Sequence, residues 1–259
     1  MSVYTTEIAS DSIESDNPVH QRLLKAYYLA IPHISGKLLE LGCGEGRGVE
    51  LLAPLAESYL ALDKIGEVIA RLSEAYPNHN FKQAVFPPLQ DYPEASFDTI
   101  VSFQVIEHIE NDALFLKEIY RLLKPGGKAL ISTPNIKLTL TRNPWHVREY
   151  TAEQLRTLCE AIFDKVEAKG VAGDTHMMEY HEKNRASVRK ITRFDIFNLQ
   201  YRLPAPLLRL PYDLLNRLNR NRLNAANKGL VTGISQDNFL LSEDADTSLD
   251  LFYILHKKA

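Results

Sequence analysis

Four glycines within seven residues follow an apolar run in the stretch LELGCGEGRG (39–48). Between a parallel strand and a helix, such a turn lets the backbone approach a ligand at the carboxyl edge of the sheet. The dinucleotide pattern G-x-G-x-x-G fails in both glycine registers, and no phosphate loop with Gly-Lys-Ser/Thr occurs. What remains is an acidic residue before G-x-G-x-G, which suits a ligand that contains adenosine but no pyrophosphate.

Apolar, β-branched segments alternate with longer helical patterns through the first two thirds of the chain, which is typical of βαβ units around a parallel sheet. The predicted strands are 37–42, 58–63, 81–85, 97–103, 128–133, 163–171 and 248–258. The predicted helices are 18–30, one from about residue 46, 70–76, 111–123 and 151–162, the last with Thr151 as N-cap. The stretch 124–127, Lys-Pro-Gly-Gly, predicts a chain reversal.

Three further features follow the glycine loop along the chain: Asp63 at the end of SYLALD, the segment FDTIVSFQVIEHI (97–109) and the segment LLKPGGKALISTPN (122–135). At these four places, and in the same order, the chain resembles the class I S-adenosylmethionine-dependent methyltransferases. The resemblance implies an α/β, Rossmann-like fold: a seven-stranded, mostly parallel sheet with helices on both faces and an antiparallel last strand. It also implies methyl transfer with S-adenosyl-L-methionine as cofactor.

The same resemblance implies which residues bind the cofactor. In that family the acid that ends the second strand accepts both ribose hydroxyls, and residues after the fourth strand flank the methionine part. The implied cofactor-binding residues are Glu40, Gly42, Cys43, Gly44, Gly46, Asp63, Lys64, Val85, Phe86, Gln104 and Val105. This chain departs from many relatives because no acid follows the third strand, so we expect backbone groups and apolar packing at Val85 and Phe86 to hold the adenine.

More than seventy residues separate the sixth and last predicted strands, which is far more than a hairpin uses. We therefore predict a methyltransferase domain of residues 1–174 plus 232–259 and an α-helical insertion, 175–231, before the last strand. From Glu182 to Lys228 this insertion holds eight Arg and three Lys against one Glu and two Asp, a net charge of +8. Three functions are open: a lid over the acceptor, a peripheral contact with anionic lipid or a lipid-linked or phosphorylated acceptor, and RNA binding.

The segment NPWHVREYT (143–151) follows the fifth strand, where the methyl acceptor should approach. We predict that Trp145, Arg148 and Tyr150 bind the acceptor and that His146 is the general base, because a neutral imidazole can take a hydroxyl proton during methyl transfer. The alternative is that Trp145 packs and that His146 and Arg148 pair with carboxylates. His108 is a second catalytic candidate or a satisfied core histidine, while we expect Glu107 to be structural.

Composition limits the possible partners, metal sites and cellular location of the protein. The net charge of −3 gives no overall basic field for DNA, and the two cysteines form neither a disulfide framework nor a metal cluster, so we expect no metal site. The acidic N-terminal stretch differs from a secretory signal and no apolar run reaches ~18 residues, which favours a cytoplasmic protein. We expect O-methylation of a small-molecule, glycan or lipid-linked acceptor; an RNA or protein methyltransferase and a non-catalytic S-adenosylmethionine-binding scaffold are the alternatives.

Overall fold

A computed structural model of the protein describes residues 13–195 and 197–259. The sequence-based expectation about a secretory signal concerns a segment that lies mostly outside these residues. The sheet has eight strands: β1 (Lys37–Leu41), β2 (Ser58–Asp63), β3 (Asn80–Gln83), β4 (Phe97–Phe103), β5 (Leu123–Pro134), β6 (Lys165–Gly173), β7 (Phe239–Ser242) and β8 (Asp250–His256).

The strand order is β3-β2-β1-β4-β5-β8-β6-β7. The first five strands are parallel, and β8 runs antiparallel to both β5 and β6. The predicted α/β fold class and the antiparallel last strand are therefore confirmed. The eighth strand, β7, was not predicted; it pairs antiparallel with β6 at the edge and has only four residues, two of them exposed leucines that give no strand-like burial pattern.

Helices cover both faces of the sheet, and the central strands are nearly continuous apolar runs because both of their faces are buried. The helices are α1 (Asn17–Ala30), α2 (Val49–Leu52), α3 (Gly66–Ala75), α4 (Asp112–Leu122), α5 (Ala152–Glu160), α6 (Thr175–Thr192), α7 (Leu199–Arg202), α8 (Ala205–Ala226) and α9 (Lys228–Gly233). Thr151 caps α5 through a reciprocal pair of hydrogen bonds with Gln154, as the sequence predicted.

Two local predictions need correction. The helix expected from about residue 46 begins only at Val49, because Gly46 has a φ of +82° and belongs to the turn before the helix. The reversal expected at 124–127 is an irregular start of β5 instead: Phe97 pairs with Leu123 and Thr99 with Lys128, so extra residues bulge outward. The positive φ of Gly126 permits this bulge.

Helices α6 to α9 lie between β6 and β7, where the sequence predicts an insertion. They are tied to the N-terminal end of the described chain, since the buried carboxylate of Asp16 accepts hydrogen bonds from Arg217 at 2.8 Å and Arg220 at 3.0 Å. Across the described residues, none of the helices is both long enough and apolar enough to span a bilayer.

Candidate active site

A cavity of about 270 Å³ opens at the carboxyl ends of β1, β2, β3 and β4, which is where ligands bind in open α/β sheets. Most of its wall comes from the turns that follow these strands. It is lined by Leu23, Tyr27, Gly42, Cys43, Gly44, Arg47, Asp63, Lys64, Ile65, Ala84, Val85, Phe86, Phe103, Gln104, Val105, His108 and Ile109.

The glycine loop shapes this cavity through its backbone. Gly42, Gly44 and Gly46 all have positive φ angles, of 80°, 46° and 82°. A Cβ atom on Gly42 would overlap Val105, and one on Gly46 would overlap Leu72, so packing excludes side chains there. At Gly44 a Cβ atom would meet nothing within 4 Å, which means that this glycine faces the open cavity and leaves room for a ligand.

Asp63 ends β2 with its carboxylate at the cavity wall. Its Oδ2 accepts the backbone N–H of Gly44 at 2.8 Å, and its Oδ1 accepts that of Ile65 at 3.0 Å. These two hydrogen bonds fix the carboxylate across the loop, and each carboxylate oxygen has further acceptor capacity. A fixed carboxylate beside an open glycine turn fits the ribose of an adenosine ligand.

Glu40 lies below the glycine loop and not on the described cavity wall. It is buried and accepts hydrogen bonds from the hydroxyls of Tyr27, at 2.7 Å, and Tyr59. Burial raises the pKa of Glu40 to about 7. Glu40 therefore supports the loop from beneath instead of facing the ligand, and Gly46 is likewise absent from the cavity wall.

The other residues implied to bind the cofactor do line the cavity. Phe86 stacks on Phe115 with ring centroids 5.8 Å apart, which fixes one apolar wall beside the exposed Val85. Gln104 has a φ of 57°, an uncommon conformation for a residue with a side chain, and its backbone N–H donates to Ser132. Burial raises the pKa of the Cys43 thiol, so this cysteine is not an activated nucleophile.

Sequence reasoning missed the contribution of α1 to the cavity. Leu23 and Tyr27 come from this helix, and Arg47 comes from the glycine loop itself. The amphipathic pattern of α1 is the available signal, but it predicts only that one face packs against the sheet, not that the face reaches a ligand site.

His108 and His146 meet at the outer end of the cavity. Their rings are edge to face with centroids 5.0 Å apart, and the Nδ1 of His108 lies 2.9 Å from the carbonyl oxygen of Trp145. Because a carbonyl only accepts, this nitrogen carries the proton of the neutral ring. The neighbouring Glu107 is buried, accepts the hydroxyl of Thr133 at 2.9 Å and has its pKa raised by burial to about 7.

The protonation of His146 follows from its neighbours. Asn143 accepts the backbone N–H of Trp145 through Oδ1, so its Nδ2 faces His146 Nε2 at 2.8 Å and donates to it. The proton of the neutral ring is therefore on Nδ1, which lies 2.7 Å from Glu149. His146 pairs with a carboxylate, as the alternative to a general base predicts, and its Nε2 reaches an acceptor only if Asn143 moves.

The three side chains predicted to bind the acceptor have structural partners. Trp145 donates its indole N–H to Asp213 at 3.1 Å, and the guanidinium of Arg209 lies 4.3 Å from its ring centroid. Arg148 pairs with Asp112 at 2.7 Å, and the buried Tyr150 donates to the same carboxylate at 2.8 Å. Of the three, only Arg148 lines a described cavity; Trp145 and Tyr150 hold the segment in place through these contacts, and their binding of an acceptor stays a prediction.

A polar pocket lies on the far side of His146, lined by Ile136, Thr139, Thr141, Arg142, Asn143, His146, Val147, Arg148, Glu149 and Tyr201. It adjoins a larger apolar groove of about 450 Å³, because Thr141 and Arg142 line both. The apolar groove is formed mainly by the insertion, including Phe194, Phe197, Leu207 and Leu215. The cofactor cavity, the histidine pair, the polar pocket and the apolar groove thus follow one another.

Known proteins resemble this chain in sequence and in fold. Residues 39–131 match a family model described as a methyltransferase domain. A Mycolicibacterium smegmatis protein named as a probable S-adenosylmethionine-dependent methyltransferase is 36% identical over 158 residues, covering 58% of this chain and 61% of that relative. A Pseudomonas aeruginosa ubiquinone biosynthesis O-methyltransferase is 30% identical over 113 residues, or 42% of this chain and 46% of the relative. The match thus spans about three fifths of the first relative and under half of the second.

Among solved structures, an S-adenosylmethionine-dependent methyltransferase from Archaeoglobus fulgidus superposes with a TM-score of 0.56. The match covers 92% of this chain and 94% of that structure at 16% identity, a likeness that concerns the fold. With the strand order, the glycine loop and Asp63, these similarities support a class I S-adenosylmethionine-dependent methyltransferase domain in this chain, with S-adenosylmethionine as its cofactor.

Proposed function

We propose that the protein is an S-adenosylmethionine-dependent O-methyltransferase whose acceptor combines a hydroxyl-bearing polar head with an apolar chain. The observation that carries this proposal is the contact between His108 of the cofactor cavity and His146 of the polar pocket, whose wall in turn shares Thr141 and Arg142 with the apolar groove. An acceptor of this shape would place its head at the histidine pair and its chain among the leucines of the insertion.

Bound in the first cavity, S-adenosylmethionine supplies a sulfonium methyl group that an acceptor oxygen can attack, leaving a neutral thioether and releasing the hydroxyl proton. The chain's own task is to hold the two reactants in line and to exclude water. The glycine loop and Asp63 fix the adenosine, Gln104 and Val105 flank the far end of the cavity, and His108 and His146 face the place of the acceptor. Either an imidazole or a cation held by it would ease the loss of the proton.

The side chains between the cofactor cavity and the polar pocket favour oxygen as the methylated atom. Two imidazoles and a carboxylate meet there, with one ligand atom of each within 4.8 Å of the others, and such groups accept hydrogen bonds from a hydroxyl, His146 once Asn143 has moved. One relative is named as an O-methyltransferase of ubiquinone biosynthesis, which supports the same choice. That match covers under half of either protein, so the acceptor itself is inferred from the pocket.

The exposed apolar side chains of the insertion favour an acceptor with an apolar chain. The positive charge of the insertion favours an anionic or membrane-associated partner. Phe194 is 74% exposed and Leu207 65% exposed along the apolar groove, more apolar surface than isolated exposed residues explain. The guanidinium of Arg193 lies 5.1 Å from the ring centroid of Phe194, so charge and apolar surface alternate there. The net charge of +8 across Glu182 to Lys228 would attract an anionic lipid surface or a phosphorylated head group.

The first test is calorimetric binding of S-adenosylmethionine and S-adenosylhomocysteine to wild type, Asp63→Ala and Asp91→Ala. We expect Asp63→Ala to weaken both ligands about 100-fold or more, because it removes an acceptor of two hydrogen bonds to a charged group. Asp91 is exposed outside the cavity and is the matched control, which should bind as wild type does. Equal affinities for the two variants would contradict the assignment of the cavity.

Turnover is then measured with methyl-labelled S-adenosylmethionine and a panel of hydroxylated acceptors that differ only in acyl chain length. We expect product to form and the specificity constant to rise with chain length. Cofactor binding without transfer to any acceptor in the panel would favour a non-catalytic scaffold. Transfer to RNA or protein in place of the panel would assign the insertion to a macromolecular acceptor.

A further inference from the structure

We propose that Glu107, His108 and His146 form a binding site for one divalent transition-metal cation at the junction between the cofactor cavity and the polar pocket. One ligand atom from each of these three side chains lies within 4.8 Å of the other two. Two imidazoles and one carboxylate are a common donor set for such ions. The sequence does not predict this site, because 38 positions separate the two histidines and only the fold brings them together.

The hydrogen-bond partners of the two histidine rings support a metal site more strongly than the short distances between the three side chains do. A histidine that binds a metal usually donates its other ring N–H to a carboxylate or a backbone carbonyl, which fixes the ring. Both histidines have that partner: His108 Nδ1 faces the carbonyl of Trp145, and His146 Nδ1 faces Glu149 Oε1. In each ring Nε2 is therefore the nitrogen that carries the lone pair.

The carboxylate is held in a comparable way. Glu107 is 1% exposed, and the hydroxyl of Thr133 donates to its Oε2 at 2.9 Å. The backbone of Glu107 is fixed as well, since its carbonyl oxygen accepts the N–H of Val147 at 2.8 Å and thereby joins the two halves of the site. A buried, hydrogen-bonded carboxylate next to two oriented imidazoles is preorganised for a cation.

Two small movements complete the site. Metal–nitrogen and metal–oxygen bonds are about 2.1 Å long, so three ligand atoms of one ion lie roughly 3.0–3.6 Å apart, and atoms up to 4.8 Å apart must approach by about an ångström. The amide of Asn143 donates to His146 Nε2 in this structure, and the cation replaces that hydrogen bond. Asn143 therefore occupies the lone pair of His146 until the ion binds.

The position of the site defines what the ion would do. His108 lines the cofactor cavity and His146 the polar pocket, so a cation held by both lies where the acceptor hydroxyl is expected. An ion with open coordination positions binds that oxygen and lowers the pKa of its hydroxyl, with the proton released to solvent. The histidines then act as ligands and not as bases. This role rests on the proposed methyl transfer, whereas the binding of the ion does not.

Binding is tested with Co²⁺ alone, on tag-free full-length protein without cofactor or acceptor, by visible absorption and equilibrium dialysis. The variants are His108→Ala, His146→Ala and Glu107→Gln, with His79→Ala as the matched control. His79 precedes the amino end of the edge strand β3, whereas the proposed site lies beyond the carboxyl end of the central strand β4. Glu107→Gln keeps the side-chain volume and an oxygen for the Thr133 hydrogen bond, so it tests the charge of the ligand with little change to the fold.

We expect one Co²⁺ per chain, with absorption bands that are lost in the three site variants and unchanged in His79→Ala. Glu149→Gln, which removes the charge of the partner of His146 but keeps an oxygen for the hydroxyl of Thr139, should weaken Co²⁺ 10- to 100-fold. Cooperative thermal unfolding shows that each variant has folded, and binding of S-adenosylhomocysteine to wild type, measured separately, fails if the proposed function is wrong. No stoichiometric Co²⁺ in wild type, or equal Co²⁺ affinity in His146→Ala and His79→Ala, would overturn the site.

Discussion

The cofactor edge and the acceptor side of this molecule are built in different ways. At the cofactor edge, the turns after β1 and β2 fix the ligand site with glycines and one carboxylate that are within 21 positions of each other. On the acceptor side, local contacts such as that of His146 with Glu149 are combined with contacts between distant segments. Trp145 donates to Asp213, and Arg142 donates to the carbonyl of Gln200 at 2.9 Å. The cofactor edge is therefore set by local backbone geometry, whereas the acceptor side depends on how the insertion packs against the rest of the fold.

This difference also appears in surface chemistry. The cofactor edge buries its polar groups against one another, as Glu40 does with two tyrosine hydroxyls, and leaves open space mainly where the ligand goes. The acceptor side leaves several large apolar side chains exposed around its groove. Changes at the cofactor edge should therefore affect folding, whereas changes on the acceptor side should affect substrate selection.

The largest expected effect comes from the glycine loop. Gly42→Ala combines a positive φ with overlap against Val105, and should lower the free energy of unfolding by about 2–5 kcal/mol. Gly44→Ala has the positive φ but open space around it, and should cost only about 1–2 kcal/mol while weakening S-adenosylhomocysteine binding. Urea denaturation and calorimetry of the two variants measure this contrast; equal losses of stability would remove the distinction between a packing glycine and a ligand-facing one.

The next largest effect is the pH dependence of the free energy of unfolding. Burial raises the pKa of Glu40 from 4.5 to about 7, so the folded state holds a proton that the unfolded state releases between these values. The contribution of this proton to stability is complete below about pH 4.5 and is lost as the pH rises through about 7. It amounts to about 3 kcal/mol at about 1.4 kcal/mol per pKa unit.

Glu40→Gln should therefore show a flatter dependence of unfolding free energy on pH between 5 and 8. Denaturant titrations at several pH values give the slope, with the exposed Glu57→Gln as control, which should keep the slope of wild type. An unchanged slope in Glu40→Gln would mean that the two tyrosine hydroxyls stabilise the charged carboxylate fully.

The smallest effect on stability is expected in the apolar groove. Leu207→Ser changes a side chain that is 65% exposed, so the free energy of unfolding should move by less than about 0.5 kcal/mol. Turnover of long-chain acceptors should nevertheless fall, while cofactor affinity stays constant. Leu240→Ser, a 51% exposed leucine on β7 outside the groove, is the control for turnover. The same turnover for both variants would show that the groove does not hold the acceptor.

The cofactor edge could be predicted from the sequence because its signals are local. Gly42, Gly44 and Asp63 follow predicted strands directly, and parallel strands bring their carboxyl ends to one edge. Glu40 shows the limit of this reasoning: it lies two positions before the first glycine of the loop and was expected to bind the cofactor. Successive side chains of a strand point to opposite faces, however, and the side chain of Glu40 is buried beneath the loop.

The acceptor side could be predicted only as a region. The sequence singles out the segment 143–151 and the basic insertion as regions, but the partners of Trp145 and Tyr150 are carboxylates at positions 213 and 112 that no local pattern connects to them. The same holds for Glu107, whose meeting with His146 depends on the path of the chain after β5. Long-range contacts of this kind need the fold itself.

The placement of Trp145 gives the molecule a built-in optical reporter. It is the only tryptophan in the chain, and its indole lies between Arg209 and Asp213 of α8 while its carbonyl faces His108. Intrinsic fluorescence excited at the tryptophan band therefore comes from a single position, the junction of the insertion with the histidine pair. The emission of the unlabelled protein would report, in real time, when α8 separates from that junction.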